Sequence, residues 1–360
     1  MNQIKLSRFF PAPGFLRISS VGVDISDRSI KFAELLPKRK KLSLGRFGEK
    51  KLEPGIIVSG KIRDQKKLVE SLSALKREHN LDFVRVSLPE EQIYLFRLTI
   101  PRVEPAEVRG VIELQLEEHV PISLAEAVFD YDFIGETPKG YELQVLALSS
   151  RVIESYLSIF KQSGLNPLSM ELEAQAVART VIHAGDPGTY IVIDFGDART
   201  GVLIVSGGVI LFTSTVDVGG ITLTNMIERA FQVSFEEAEK LKKENGLQRN
   251  KENKELFSVL LNGVSVLRDE ISRHFIYWQT HKDESGKDRP KIEKIILCGG
   301  DSNLKGLADY LATSLRMKVE IADAWTNIPI DPELIPEIGF SDSLSYVTAL
   351  GLALGDFEYD

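Results

Sequence analysis

Two aspartates each stand at the end of an apolar run and are followed by a short polar turn. Asp24 closes the run "VGVD", and Asp194 closes the run "YIVID". Two facing hairpin turns of this kind can cradle a phosphate through backbone N–H groups while the carboxylates hold Mg²⁺ through water. The pair therefore predicts a site suited to ATP. Either turn alone is weak evidence, since aspartate is common in turns where its side chain bonds the backbone.

The second turn, "FGDART", carries a further acid, Asp197, at the position where a phosphate would sit. A carboxylate about 4 Å from a phosphate oxygen costs on the order of 4 kcal/mol at an effective dielectric of 20 if nothing compensates it. Arg199 or Lys31 could offset this charge, and a bound Mg²⁺ would change its sign locally. Whether Asp197 repels a phosphate or is neutralised depends on where these side chains point.

Both turns lie between segments with the alternation of β-strands. Three strand-like runs from Val21 precede a helical pattern and a buried strand that Pro89 closes, which predicts a β-β-β-α-β unit. The three-strand plan returns from residue 189 and leads into helices and an α/β ending. Residues 91–165 have a different pattern, and we expect them to form a compact α+β unit inserted into the larger fold.

Composition limits the classes of function. The 360 residues, 43% hydrophobic and 27% charged, are enough for two domains that each bury a core. The net charge of −8 gives no basic field for nucleic-acid binding. The one cysteine, Cys298, excludes an internal disulfide and a Cys-rich metal cluster and fits a reducing compartment. We expect a cytoplasmic protein that binds no nucleic acid.

The sequence gives no sign of a membrane span. No apolar run reaches 18 residues, and the first twenty residues lack the unbroken apolar core of a signal peptide. We therefore expect a chain that neither crosses a membrane nor is secreted. Residues 1–20 mix basic and apolar side chains, so this arm is expected to be disordered or to touch an anionic surface.

Four motifs in one order resemble the phosphate-1, phosphate-2, ribose-contacting and adenosine motifs of actin-like ATPases. They are "VDISDRSIK" at 23–31, "IDFGDARTG" at 193–201, "AEKLKKENG" at 238–246 and "ILCGGDSNLKGL" at 296–307. The position of the inserted unit, together with residues 216–247, residues 298–325 and "TALGLALG", resembles the PilM branch of the FtsA/PilM group. The resemblance implies an α/β, actin-like (ribonuclease H-like) two-domain fold with an inserted small α+β subdomain.

The same resemblance implies domain boundaries. They are a flexible arm at 1–20, the first half of domain 1 at 21–90, the inserted subdomain at 91–165, a return to domain 1 at 166–188, domain 2 at 189–325, and a C-terminal segment, 326–360, whose helix packs back on domain 1.

Carried over position by position, the resemblance implies a site for ATP or ADP with Mg²⁺. Asp24 and Asp194 would hold hydrated Mg²⁺, and Glu173 would orient water, although Glu173 could equally be a carboxylate that the helix dipole favours. Glu239 and Lys242 would contact ribose or base, or else form a solvated pair on their helix. The implied nucleotide-binding residues are Asp24, Ser26, Lys31, Asp194, Gly196, Thr200, Gly219, Gly220, Glu239, Lys242, Gly299, Gly300 and Ser302.

Three positions depart from the family pattern. Ser26, Asp197 and Asp301 stand where actin-like ATPases usually have glycine or alanine, and each adds bulk or charge beside the expected nucleotide. We therefore expect nucleotide binding with slow or absent hydrolysis, and a role as a scaffold.

The resemblance also implies partners. PilM-like proteins bind the N-terminal cytoplasmic peptide of the membrane protein PilN, at the cytoplasmic face of the inner membrane, beside other pilus platform proteins. An acidic helix that includes Glu113 and Glu117 would suit a basic peptide, or it is a solvated face. A homodimer is left open. The alternatives are an FtsA-like filament-forming ATPase, against which the acidic ending "GDFEYD" argues, and a sugar-kinase-like enzyme.

Overall fold

A computed structural model describes residues 20–38, 41–249, 253–282, 286, 288–330 and 335–357. The arm expected at residues 1–20 therefore lies, apart from Ser20, outside the described residues. The strands are β1 (Val21–Ile25), β2 (Ser29–Lys38), β3 (Lys41–Lys51), β4 (Ile57–Val58), β5 (Lys61–Ile62), β6 (Phe83–Leu88), β7 (Ile93–Ile100), β8 (Ala127–Thr137), β9 (Gly140–Ser149), β10 (Asn166–Leu172), β11 (Thr189–Phe195), β12 (Thr200–Ser206), β13 (Val209–Val216), β14 (Lys294–Cys298) and β15 (Val319–Ile321).

Helices separate groups of these strands. They are α1 (Gln65–His79), α2 (Val108–His119), α3 (Ser150–Ser163), α4 (Glu173–Val181), α5 (Gly220–Phe231), α6 (Phe235–Asn245), α7 (Lys254–Thr280), α8 (Leu307–Leu315), α9 (Phe340–Ser343) and α10 (Val347–Leu354). The chain forms two compact units. The first comprises Met1–Asp24, Lys31–Glu49 and Ala174–Asp360, and the second comprises Ile25–Ile30 and Lys50–Glu173.

A five-stranded sheet organises the first unit, in the order β13-β12-β11-β14-β15. Strands β11, β12 and β13 form the predicted antiparallel meander, and β14 and β15 run parallel to β11. In this register Asp194 lies opposite Gly201 on one side and Cys298 on the other. The sheet therefore brings the phosphate-2 turn and the "GGDS" segment to the same edge.

The long helix α7 covers this sheet with one apolar face. Leu260, Val264, Leu267 and Ile271 recur at intervals of three and four residues and are fully buried in the core with strand residues such as Ile193. Burying each such side chain contributes about 1.5–3 kcal/mol. The core thus fixes the strand ends that carry the polar turns.

The strands β1, β2 and β3 lie side by side in that order. The C-terminal helix α10 packs against β1 and against α4 at two glycines. A Cβ on Gly22 would lie 2.0 Å from the Ala349 carbonyl oxygen, and a Cβ on Gly351 would lie 2.0 Å from that of Ala176. Both contacts are between backbones, so only glycine fits at either position.

The second unit contains a parallel pair, β6 and β10, and a helix pair, α1 and α3. The antiparallel sheet β7-β9-β8 stands apart and builds its own core with α2, through residues such as Ile112 and Val145. We call β7, β8, β9 and α2 the small subdomain. A two-stranded ribbon, β4 and β5, also lies in this unit; the sequence-based interpretation missed it.

Candidate functional site

The phosphate-2 turn is a tight hairpin between β11 and β12. The Gly196 N–H donates to the Arg199 carbonyl at 3.0 Å, which closes the turn. Within the residues that the structure describes, the N–H groups of Asp197 and Ala198 donate to no protein acceptor. Two backbone donors at the tip of this turn can therefore take an anion.

The N-terminal turn of α5 donates two backbone hydrogen bonds to the same hairpin. The Gly220 N–H donates to the Gly196 carbonyl at 3.0 Å, and the Ile221 N–H donates to the Asp197 carbonyl at 2.9 Å. A Cβ on Gly219 would lie 2.4 Å from the Asp197 carbonyl oxygen. Gly219 is thus explained by close approach to the protein's own turn, whereas the predicted approach of Gly219 and Gly220 to nucleotide stays a prediction.

Asp24 and Asp194 form a pair of carboxylates near the strand ends. Asp24 is only 8% exposed. Burial and the neighbouring Asp24 charge raise the pKa of Asp194 to about 7, against the opposing effect of Lys31. The Lys31 ammonium also lies 3.6 Å from Glu49 Oε1. The pair therefore favours a cation at this point.

This donor set fits hydrated Mg²⁺. Among the described residues, no group of three or more His, Cys, Asp or Glu side chains could enclose a metal ion. Mg²⁺ usually keeps several of its waters and takes one or two carboxylates together with substrate phosphates. Asp24 and Asp194 supply such a pair of hard oxygen donors.

The buried ammonium of Lys242 joins three elements. Its Nζ lies 2.8 Å from Asp301 Oδ1, 2.9 Å from Glu239 Oε2 and 3.1 Å from the Gly220 carbonyl oxygen, and Lys242 is 2% exposed. These contacts use all three ammonium hydrogens. The ammonium of Lys242, which was predicted to contact ribose or base, therefore has all its hydrogen bonds to protein groups.

The charges of this network are unequal. Burial lowers the pKa of Lys242, but the Asp301 and Glu239 carboxylates outweigh it, and the net shift is upward. Burial raises the pKa of Asp301, the charges of Asp197 and Glu239 raise it further, and Lys242 opposes these effects without cancelling them. Burial also acts to raise the pKa of Glu239, but hydrogen bonds from Thr224 and Lys242 lower it overall. Lys242 thus compensates the charge of Asp301 only in part.

Helix α6 places Glu239 and Lys242 on one face. It begins after Ser234, whose hydroxyl accepts from the Glu237 N–H at 3.2 Å, and it carries acidic residues in its first turn and lysines in its last. The Thr224 hydroxyl donates to Glu239 Oε2 at 2.5 Å. Glu239 and Lys242 both contact α5. Because Lys242 is buried, the alternative that the two form a solvated pair on their helix is wrong for Lys242.

Two glycines, one in the "GGDS" turn at 299–302 and one at the start of α5, make room for aspartates. Gly299 has φ of 87°, and a Cβ there would lie 2.3 Å from Asp194 Oδ1. A Cβ on Gly220 would lie 2.0 Å from Asp301 Oδ2. Each glycine therefore makes room for an aspartate of the site.

Two predicted contact residues have structural bonds of their own. The buried Ser302 hydroxyl donates to the Cys298 carbonyl, and the buried Thr200 hydroxyl donates to the Val218 carbonyl at 2.5 Å. Their contacts with nucleotide stay predictions. Sequence reasoning missed Ser345, whose Cβ lies 3.3 Å from the Cβ position of Gly300. The signal that could have found it is its place three residues before "TALGLALG".

Ser26 and Glu173 belong to the second unit. The Ser26 N–H donates to the Ser29 carbonyl at 2.9 Å, and its hydroxyl donates to the same oxygen at 3.0 Å, which closes the phosphate-1 turn. Glu173 is half-buried and is the first residue of α4. Its role in orienting water stays a prediction.

The acidic helix of the small subdomain is α2. Glu113 Oε1 lies 3.5 Å from Arg109 Nε, and Glu117 Oε1 accepts from the Leu124 N–H at 2.8 Å. Between them Leu114 is 85% exposed. Glu117 therefore fixes the following turn, and its contact with a partner stays a prediction, as does that of Glu113.

Comparisons with known proteins agree on one family. The pattern of the family described as type IV pilus assembly protein PilM matches residues 22–357. Among solved structures, the chain is similar to a PilM–PilN type IV pilus biogenesis complex, with a TM-score of 0.79 and 20% identity, over 95% of this chain and 99% of that chain.

More distant structures share the fold. The ethanolamine utilization protein EutJ from Carboxydothermus hydrogenoformans has a TM-score of 0.54 and 17% identity, over 96% of this chain and 91% of that one. MreB5 of Spiroplasma citri, bound to ADP, has a TM-score of 0.54 and 14% identity, over 94% of this chain and 98% of that one. These likenesses confirm the actin-like α/β fold.

No helix in the described part of the chain combines the length and the hydropathy that a bilayer crossing needs. The motifs predicted a PilM-like protein, and both the fold and the family match over residues 22–357 agree with this prediction. The chain belongs to the type IV pilus assembly protein PilM family.

Proposed function

We propose that this chain is a cytoplasmic, actin-like scaffold of the type IV pilus assembly platform. It lies at the inner membrane, binds the N-terminal cytoplasmic peptide of a PilN-like membrane protein, and binds ATP or ADP with Mg²⁺. Hydrolysis is slow or absent. Family membership supports the assembly role, and the carboxylate pair of Asp24 and Asp194 is the observation that carries the nucleotide part.

The groups at the turn suit a phosphate chain with its metal. The N–H groups of Asp197 and Ala198 would donate to phosphate oxygens, and Lys31 would exchange Glu49 for a phosphate. Asp24 and Asp194 would hold Mg²⁺ through its waters. A bound nucleotide would supply anionic phosphates beside this carboxylate pair. The MreB5 structures, which hold ADP or AMPPNP on the same fold, support this part of the proposal.

The departures from the family pattern support slow hydrolysis. Negative charge redistributes over the phosphate oxygens in the transition state, and efficient catalysts place fixed donors or cations there. Here the exposed carboxylate of Asp197 lies at the tip of the turn. Glu173 would be the residue that orients water, from the start of α4.

The small subdomain suits a peptide partner. A structure described as a PilM–PilN complex resembles this chain over 95% of its length, which supports PilN as the class of partner. On α2, the exposed Leu114 stands next to Glu113, so a peptide with basic and apolar residues fits this face. Other platform proteins and a second copy of the chain are further partners in this proposal.

Calorimetry on the full chain tests the nucleotide part. We expect ADP and AMPPNP to bind in the presence of Mg²⁺ and to bind at least about tenfold more weakly when Mg²⁺ is chelated. Asp24→Asn should remove most of the Mg²⁺ dependence, whereas Asp186→Asn, elsewhere in the same unit, should not. Absence of binding by the unchanged protein would end the nucleotide proposal and leave the scaffold proposal standing.

A pull-down with a PilN-type N-terminal peptide tests the partner part. We expect capture by the unchanged chain and weaker capture by Glu113→Lys and Leu114→Asp. Glu78→Lys, an exposed change outside the small subdomain, is the matched control. Equal capture by all four proteins would contradict the assignment to α2.

A further inference from the structure

We propose that Asp27 transmits the state of the phosphate-1 turn, residues 25–30, to the small subdomain. The turn between β4 and β5 carries this connection. The inference rests on the proposed nucleotide function for its biological meaning, but the connection itself exists in the protein without ligand. All the residues that form it belong to the second unit.

Asp27 holds the phosphate-1 turn with both carboxylate oxygens. Oδ2 accepts from the Ser59 N–H at 2.8 Å, and Oδ1 accepts from the Gly60 N–H at 3.0 Å. Asp27 is only 9% exposed, so water competes weakly for these bonds. Hydrogen bonds to a charged acceptor are about twice as strong as neutral ones. The phosphate-1 turn and the β4–β5 turn therefore move as one body.

The β4–β5 turn is itself rigid. Ser59 and Gly60 have φ of 50° and 67°, both in the left-handed region, as a two-residue hairpin of type I′ requires. The adjacent pair Val58 and Lys61 closes the ribbon. A displacement of Asp27 should therefore displace the whole β4–β5 turn by a similar distance.

Gly60 touches the segment that leads into the small subdomain. A Cβ at Gly60 would lie 2.6 Å from Glu91 Oε2 and 2.8 Å from Pro89 Cβ, so the turn lies in direct contact with this segment. The Pro89 carbonyl accepts from the Gln92 N–H at 3.1 Å, and β7 follows at once. Contacts therefore run without a gap from the phosphate-1 turn to the first strand of the small subdomain.

The phosphate-1 turn is where a nucleotide would act on this path. Asp24 and Lys31, the predicted metal and phosphate residues, directly flank residues 25–30 in the chain. Any change of the turn on nucleotide binding reaches Asp27 through three or four peptide bonds at most. Asp27 is a positioning residue in this proposal, since it touches no ligand.

Amide hydrogen exchange on the full chain tests the connection without any ligand. We expect Asp27→Ala to speed exchange in residues 89–98 by about fivefold or more. Asp64→Ala is the matched control, since Asp64 also accepts a backbone N–H, from Lys67 at 3.0 Å, and caps α1 in the same unit. Asp27→Asn keeps one acceptor oxygen, enough for one of the two N–H groups, and should restore part of the protection. Equal exchange at 89–98 in the Asp27→Ala and Asp64→Ala proteins overturns the proposal.

Adding AMPPNP with Mg²⁺ separates this inference from the proposed function. We expect nucleotide to change exchange at 89–98 in the unchanged protein by about threefold or more, and to bind Asp27→Ala without that change. Binding that leaves 89–98 unaffected in the unchanged protein overturns the inference and spares the nucleotide proposal. No binding at all ends the nucleotide proposal, and the comparison without ligand then still decides the role of Asp27.

Discussion

The aspartates of the candidate site differ in what surrounds them. Asp194 faces another carboxylate, Asp301 is paired with a buried lysine, and Asp197 is exposed at the tip of its turn. A like charge penalises an ionised acid, an opposite charge stabilises it, and solvent screens it. Substitutions of the three aspartates should therefore have different effects.

Asp194→Asn should stabilise the protein without ligand. The folded state raises the pKa of Asp194, so folding favours its protonated form, and this acid costs more stability as the pH rises from about 4 towards 7. Asparagine carries no charge, so the gain should be clearly smaller at pH 5 than at pH 8, where it should reach about 1 kcal/mol or more. Urea unfolding at both pH values measures it.

Asp186→Asn is the control for this change. Its carboxylate accepts from the Gly188 N–H and the Tyr190 hydroxyl, and the backbone bond lowers its pKa. An acid with a lowered pKa contributes stability that is present above its unfolded pKa. The control should therefore lose stability at pH 8. A loss at pH 8 with Asp194→Asn as well would contradict the carboxylate repulsion.

Asp197→Gly should strengthen nucleotide binding. An exposed carboxylate near a phosphate repels it by about 1 kcal/mol in water, which corresponds to roughly fivefold in affinity. Calorimetry with AMPPNP and Mg²⁺ measures the change. Unchanged affinity would show that Asp197 points away from the phosphates.

Asp301→Ala should act on stability. The change leaves Lys242 buried with one carboxylate fewer, and we expect a loss of about 2 kcal/mol in the free energy of unfolding. Lys305→Ala, at an exposed pair with the Glu244 carbonyl, is the control and should cost little. Full stability of Asp301→Ala would contradict the compensation between Asp301 and Lys242.

At the scale of elements, the backbone of helix α10 packs in direct contact with the backbones of β1 and α4. Gly22 on β1 and Gly351 on α10 each leave no space for a methyl group. Overpacking at a rigid backbone cannot be relieved by a change of rotamer. The "TALGLALG" segment is thus constrained by packing on both of its sides.

Gly351→Ala should destabilise the protein by about 3 kcal/mol or more because the new Cβ meets the Ala176 carbonyl oxygen. Gly110→Ala is the matched control, since Gly110 lies inside α2 with open space at its Cβ. Alanine is the better helix former there, so this variant should gain about 1 kcal/mol. Thermal unfolding of both proteins gives the comparison. A tolerated Gly351→Ala would show that α10 can shift.

Most elements could be predicted from the sequence, and the reasons are local. The long amphipathic pattern of α7 and the repeated meander gave the correct types within a few residues. The ribbon β4–β5 was missed because strands of two residues have no period to detect. The pairing of Asp301 with Lys242 could not be predicted from the sequence for a different reason: Lys242 lies 59 positions away, and its direction depends on how α6 packs on α5.

At the scale of the whole molecule, the small subdomain has an apolar core of its own, so we expect the rest of the chain to tolerate its removal. Its core draws its helical residues from α2, whereas α3 packs on α1 and precedes β10. The parallel pair β6 and β10 needs a crossover of a dozen or more residues. We therefore expect helix α3 to belong to that crossover rather than to the inserted unit, whose predicted bounds of 91–165 stay a prediction.

Replacing residues 93–149 with a short flexible linker should leave a folded protein that has lost the PilN-type peptide. Removing 91–165 should abolish cooperative unfolding of the second unit, because the crossover is lost as well. Circular dichroism melting and the peptide pull-down distinguish the two deletions. If both behave alike, α3 contributes nothing to the pair β6 and β10.

The contact between the first and last described elements affects how the protein is made. The Ser20 hydroxyl donates to Asp356 Oδ2 at 2.5 Å across 336 positions of the chain, next to the packing of α10 on β1. A ribosome adds about 5–20 residues per second, so β1 is exposed for roughly 17–70 s before α10 emerges. During this time β1 lacks the packing that α10 gives it, so we expect the speed of synthesis to affect the yield of soluble protein.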